Sequence, residues 1–173
     1  LLEMRSESGR LEQLEALFAE ALQRIKMAER AAEQSSGNGH LKPGRYNTYV
    51  CHAGCFDWAA MFSDDAYTWH AKELGAWYWE DPAKVQSQSP SSFVKAMKTP
   101  TLVIHGALDY RVPDQQGLAY YNTLKARQVD ARLLWFPDEN HWVLKPRNSR
   151  LWYSEFFDWL KAHDPAQRPR RRR

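Results

Sequence analysis

Two residues in this chain have the type and placement to move protons. Asp109 stands in the stretch HGALDYRVP and His141 in FPDENHWVLKP. Each follows an apolar run, Leu102-Val103-Ile104 for the acid and the segment ending at Phe136 for the histidine. In parallel sheets, functional groups collect just beyond the carboxyl ends of strands. Two neighbouring strands would therefore bring both loops to one edge. A carboxylate there could accept the imidazole Nδ1–H, fix the tautomer and stabilise the imidazolium formed during proton transfer. The expected separation of the two side chains is about 2.6–3.2 Å. One Asp and one His in loops also admit a plainer reading, an exposed loop acid and a packed histidine.

Other reactive side chains offer less. Cys51 and Cys55 are spaced CxxxC, which is neither the CxxC redox pattern nor half of a zinc site. Either thiol could serve as a nucleophile near His141, but cysteine in this setting usually acts as a small buried hydrophobe. His52, His70, His105 and His141 show no HxxxH spacing. No metal and no cofactor are expected, and His105, at a strand end before Gly106, reads as structural.

The elements that must hold the acid and the histidine follow from periodicity. Residues 9–34 carry Leu11, Leu14, Phe18, Leu22, Ile25 and Ala28 at three- and four-residue steps, which predicts an amphipathic helix. That stripe could self-associate or cover a sheet face. Residues 35–44, SSGNGHLKPG, have the composition of a linker. Residues 46–54 read as a strand, 56–80 as an aromatic-dense segment of helical or irregular order, and 87–92 as a turn. The stretch 68–80 could line a hydrophobic pocket or simply pack against the sheet edge. Leu102-Val103-Ile104 and the segment 131–137 read as strands buried on both faces of a parallel sheet. Residues 114–128 form a helix between them, and 149–164 a closing helix with Leu151, Trp152, Phe156, Trp159 and Leu160 turned inward. Strand, helix, strand, loop, helix in that order specifies the α/β class.

Composition limits the function classes. The 173 residues suit one domain with a real core, with 43% hydrophobic and 26% charged residues. The net charge is +3, and the tail RPRRRR holds five Arg, so subtracting those five from +3 leaves −2. The basic balance belongs to a solvated tail over 164–173 and marks no nucleic-acid surface. No run of about 18 apolar residues points to a membrane span. No signal peptide is visible, which favours the cytoplasm, although the chain starts Leu-Leu-Glu-Met and its true start is open.

The stretch from Thr99 through Leu160, with TPTLVIHGALDYRVP and LLWFPDENHWVLKP at its centre, resembles the C-terminal end of prolyl oligopeptidase family serine peptidases, on the acylaminoacyl-peptidase and dipeptidyl-peptidase branches. RYNTYVCHAGCFDW, residues 45–58, resembles the strand that follows the nucleophile helix in that family. The resemblance covers roughly 45–163. It implies the C-terminal part of an α/β-hydrolase fold, hydrolysis of short peptides through a Ser-Asp-His triad, Asp109 as its acid and His141 as its base. Arg111, Val112 and Pro113 match the turn after the acid, with structural roles implied. The order acid then histidine is the one α/β-hydrolases show after their nucleophile. The departure from the family is the nucleophile elbow, G-x-S-x-G, which no serine of this chain provides. Ser36, in QSSGNG, comes nearest and lacks the preceding glycine. One oxyanion donor is normally the N–H after that serine, so it is missing too. The expectation is an acid and base without a nucleophile, inactive alone. The alternative is a non-catalytic binding or assembly module derived from a hydrolase.

Overall fold

The structure is a computed structural model and describes residues 46–167. The helix expected at 9–34, the linker at 35–44 and the final arginines lie outside the described residues. Among the described residues three parallel strands form a sheet, β1 (Tyr49–His52), β2 (Thr101–Gly106) and β3 (Ala131–Phe136), side by side in that order. The register aligns Tyr49 with Thr101 and Thr101 with Ala131, so the three carboxyl ends finish together at one edge.

β2 lies in the middle and every one of its residues is buried. Its side chains alternate between two cores, as a pleated strand requires. Val103 joins Phe56, Met97, Leu124, Val129 and Ala131 on one face. Leu102 and Ile104 join Phe136 and Trp159 on the other. This double burial is why Leu102-Val103-Ile104 is continuously apolar rather than alternating.

Among the described residues there are four α-helices, α1 (Tyr67–Leu74), α2 (Pro82–Gln88), α3 (Gln115–Ala126) and α4 (Pro146–Ala162), of which α3 and α4 pack on the strands. α3 connects β2 to β3 and seals the first core through Leu124, which is wholly buried. α4 lies over β3 and seals the second through Trp159. No helix among the described residues is long and apolar enough to cross a membrane.

Several expectations need correction. The turn expected at 87–92 is helical, because α2 runs to Gln88 and a 3-10 helix spans Pro90–Ala96. The cause is local: Asp81 accepts the Lys84 N–H at 2.9 Å as an N-cap, and Pro82 and Pro90 open their helices. The first strand is shorter than 46–54. On α4, Phe156 and Trp159 are buried and Trp152 is partly so, but Leu151 and Leu160 are exposed. The apolar arc of α4 is wider than the sheet beneath it. The first residues assigned to the tail form a short 3-10 turn at Pro165–Gln167.

Candidate active site

β2 ends at Gly106 and the chain turns back at once. The Asp109 N–H donates to Gly106 O at 3.3 Å. The Asp109 side chain then organises its own loop. Its Oδ1 accepts the backbone N–H groups of Arg111 and Val112, each at 2.9 Å. Its Oδ2 faces the next loop and lies 2.9 Å from His141 Nδ1. A carboxylate can only accept, so His141 carries its proton on Nδ1, leaving Nε2 for other work. The Asp109 side chain is fully buried, whereas that of His141 is 31% exposed. Burial alone would raise the Asp109 carboxyl. Hydrogen bonds from His105, the Val112 N–H and His141 outweigh it and hold the group at about 2.

The histidine loop is seated on the end of β2. Ala107 N–H donates to Phe136 O at 2.8 Å and Leu108 N–H to Glu139 O at 2.9 Å. A Cβ on Gly106 would stand 2.3 Å from Asn140 O, so only glycine lets the loop come down this far. Glu139 is buried and fixes the loop from inside. Its carboxylate accepts the backbone N–H of Leu144 at 3.1 Å and of Lys145 at 3.0 Å, and the Asn148 amide at 2.7 Å. Burial opposes the charge, but these donors lower its pKa. Asn140 Oδ1 accepts the Trp142 N–H at 2.8 Å, which bends the chain around His141.

Two further histidines crowd the same edge. His105 at the end of β2 is wholly buried, and its Nε2 lies 2.8 Å from Val112 O and 3.4 Å from Asp109 Oδ2. His52 closes β1 and accepts the Trp152 indole N–H on Nδ1 at 3.2 Å. Burial, with the imidazoles of His105 and His141 nearby, pushes His52 down to about 4, so it is neutral near pH 7.

The other candidates stand apart from the Asp109–His141 pair. The aromatic segment packs on itself: Phe62 meets Tyr67, Trp77, Tyr78 and Trp79 edge-on, and Trp77 stacks on Trp79 at 4.9 Å. A small cleft there is lined by Trp58, Phe62, His70 and Trp77 among others, without Asp109 or His141. His70 is taken by Asp64, at 2.8 Å and buried. The segment does brace the acid loop, since Asp65 N–H donates to Tyr110 O and its carboxylate pairs with Arg111, both at 2.9 Å. Cys51 and Cys55 are both half-buried. Burial, then the Asp57 carboxylate, pushes Cys55 up to about 12, which leaves it without thiolate character at neutral pH. No group of three His, Cys, Asp or Glu among the described residues is placed to hold a metal ion.

Sequence reasoning placed Asp109 and His141 at one edge and missed what holds them. Glu139 and Gly106 build the histidine loop, and His105 touches the acid loop. The signal for Gly106 was its place at the end of a buried apolar run. Glu139 gave none, because its partners lie five, six and nine residues downstream.

Comparison with known proteins agrees with this architecture. The family model described as the prolyl oligopeptidase family matches residues 39–164. Dipeptidyl-peptidase 5 of Schizosaccharomyces pombe is 37% identical over 124 residues, covering 70% of this chain and 18% of its own. Dipeptidyl-peptidase 5 of Porphyromonas endodontalis is 37% identical over 121 residues, covering 67% and 18%. This chain thus spans under a fifth of the length of these relatives. Among solved structures, the uncomplexed acylaminoacyl peptidase of Pyrococcus horikoshii superposes with a TM-score of 0.64 at 24% identity, over 68% of this chain and 20% of that one. The Porphyromonas gingivalis dipeptidyl peptidase 4 superposes at 0.61 with 17% identity, over 70% and 16%. At that identity the two structures speak for the fold, a partial α/β-hydrolase. With the family model matched across most of its length, the chain belongs to the prolyl oligopeptidase family.

Proposed function

We propose that this chain carries the acid and base of a serine-peptidase site, with Asp109 orienting His141 and His141 Nε2 accepting the proton of a serine hydroxyl. The observation that carries the reading is the 2.9 Å contact between the buried Asp109 carboxylate and Nδ1 of the partly exposed His141. A buried, ionised acid on Nδ1 fixes the productive tautomer and favours the imidazolium that forms as the proton arrives. Family membership supports serine-type hydrolysis, and the dipeptidyl-peptidase relatives support short peptides as the substrate class. The chain has no G-x-S-x-G, so on this reading the nucleophile and its oxyanion donor would have to be supplied from outside these 173 residues.

A fluorophosphonate probe tests this directly, because it reacts with a serine that a base and oxyanion donors activate. The expected result is no stoichiometric labelling of the 173-residue chain. A longer chain that adds an upstream G-x-S-x-G segment should be labelled, and His141→Ala should abolish the labelling. Labelling of the short chain that disappears in His141→Ala would reveal a different nucleophile. A longer chain that folds and stays unlabelled would favour a non-catalytic binding module.

A further inference from the structure

His105 has the geometry of a control element rather than of a packing residue. It is fully buried at the carboxyl end of β2. Its Nε2 lies 2.8 Å from the Val112 carbonyl, which can only accept, so Nε2 carries the proton. The same N–H lies 3.4 Å from Asp109 Oδ2. On the other side of the ring, Nδ1 is buried without a hydrogen-bond partner.

The helix beside it is cut to fit. Gly117 occupies the third position of α3, where glycine is about 1 kcal/mol less favourable than alanine. A Cβ there would stand 2.4 Å from His105 Nδ1. The glycine lets the imidazole sit tightly against α3, and the tight seat fixes the ring. A leucine or phenylalanine at 105 would continue the apolar run and leave no buried nitrogen unsatisfied, an omission that costs about 1–3 kcal/mol. Packing alone therefore favours an apolar residue at this position. What an apolar residue lacks is the Nε2 donor.

We propose that His105 is a positioning residue for the acid, whose shared Nε2–H ties Val112 O to Asp109 Oδ2 and so holds the 109–112 loop where Oδ2 meets His141 Nδ1. The catalytic meaning of that role rests on the function proposed above, but the positioning itself does not. The remaining charged groups around Asp109 leave this task open. His141 approaches from the loop after β3, His52 from β1, and the Arg111 guanidinium is turned away to Asp65.

The test is an NMR titration of the isotopically labelled 173-residue chain, following the Asp109 side-chain carboxyl carbon and the His141 ring nitrogens. In His105→Leu the Asp109 carboxyl should titrate higher by about one pH unit or more, with weakened protection of the His141 Nδ1 proton. His105→Gln, which can place an N–H near the same spot, should recover most of the shift. Gly117→Ala keeps both polar groups but displaces the ring, and should act like His105→Leu. It serves as the second variant should His105→Leu fail to fold. An Asp109 titration that stays in place in a folded His105→Leu or Gly117→Ala chain overturns the proposal. If the titration moves as expected while an elbow-bearing longer chain remains unlabelled by fluorophosphonate, the positioning stands and the peptidase reading falls.

Discussion

Asp109 concentrates the chemistry of this edge in one carboxylate. Two backbone N–H groups hold Oδ1, and His141 meets Oδ2 at 2.9 Å. Asp109→Asn replaces one oxygen with a donor. If the amide keeps its oxygen on the Arg111 and Val112 N–H groups, its nitrogen faces His141 and forces Nδ1 to accept. We expect the His141 proton to move to Nε2, visible in the ring nitrogen shifts, and stability to fall by about 1–3 kcal/mol in urea unfolding. A variant that keeps the wild-type tautomer would show that Asp109 does not control the imidazole. In an elbow-bearing chain the same change should lower kcat by several orders of magnitude. The two residues were legible in the sequence because each follows a recognisable buried run by only a few positions. His105 was legible as structural but not as a donor, since its partner Val112 is reached only through the fold of the intervening loop.

At the level of elements, the histidine loop is held by its contacts and not by regular structure. Gly106 permits the approach and Glu139 supplies the internal anchor. Gly106→Ala places a methyl group against the Asn140 carbonyl, so the loop has to lift. We expect about 2 kcal/mol or more of destabilisation and loss of the Asp109–His141 coupling, read from His141 titration. Glu139→Ala leaves two backbone N–H groups without their acceptor and should cost about 1–3 kcal/mol in chemical denaturation. Unchanged stability in both variants would mean that the loop has another support. The strands and α3 were readable because Leu102-Val103-Ile104 is buried on two faces and Leu118, Tyr121 and Leu124 share one side of a helix. The helical segments at 82–96 were hidden by a Ser-, Gln- and Pro-rich composition. Their signals were Asp81 before Pro82 and Ser89 before Pro90, a capping residue followed by proline at the first turn. On α4, the spacing of apolar residues gave the helix but not the width of the sheet beneath it, so Leu151 and Leu160 were placed inside when they face out.

Across the whole molecule, the common carboxyl edge of the sheet sets how stability responds to acid. β1 brings His52, β2 brings His105 and the loop with Asp109, and the loop after β3 brings His141. His52 has its folded pKa pushed from 6.5 down to about 4 by burial and by its imidazole neighbours. The unfolded chain takes up that proton first, so the stability carried by neutral His52 is complete above about 6.5 and is lost as the pH falls toward 4. Asp109 is held at about 2, below its ordinary 3.8. Its contribution is complete above about 4 and is lost as the pH falls toward 2. A change of one pH unit corresponds to about 1.4 kcal/mol, so the His52 step is worth about 3.5 kcal/mol at most and the Asp109 step about 2.5 kcal/mol at most. Urea unfolding from pH 7.5 to pH 2 should therefore show two successive losses. His52→Gln keeps an acceptor for the Trp152 indole and should remove the first loss while leaving the second. Asp109→Asn should remove the second and leave the first. A profile that is flat between pH 7 and 4.5 in the parent chain would show that His52 is free to take its proton in the folded state. The edge where the three strands end would then be wetter and looser than a seat for the Asp109–His141 pair requires.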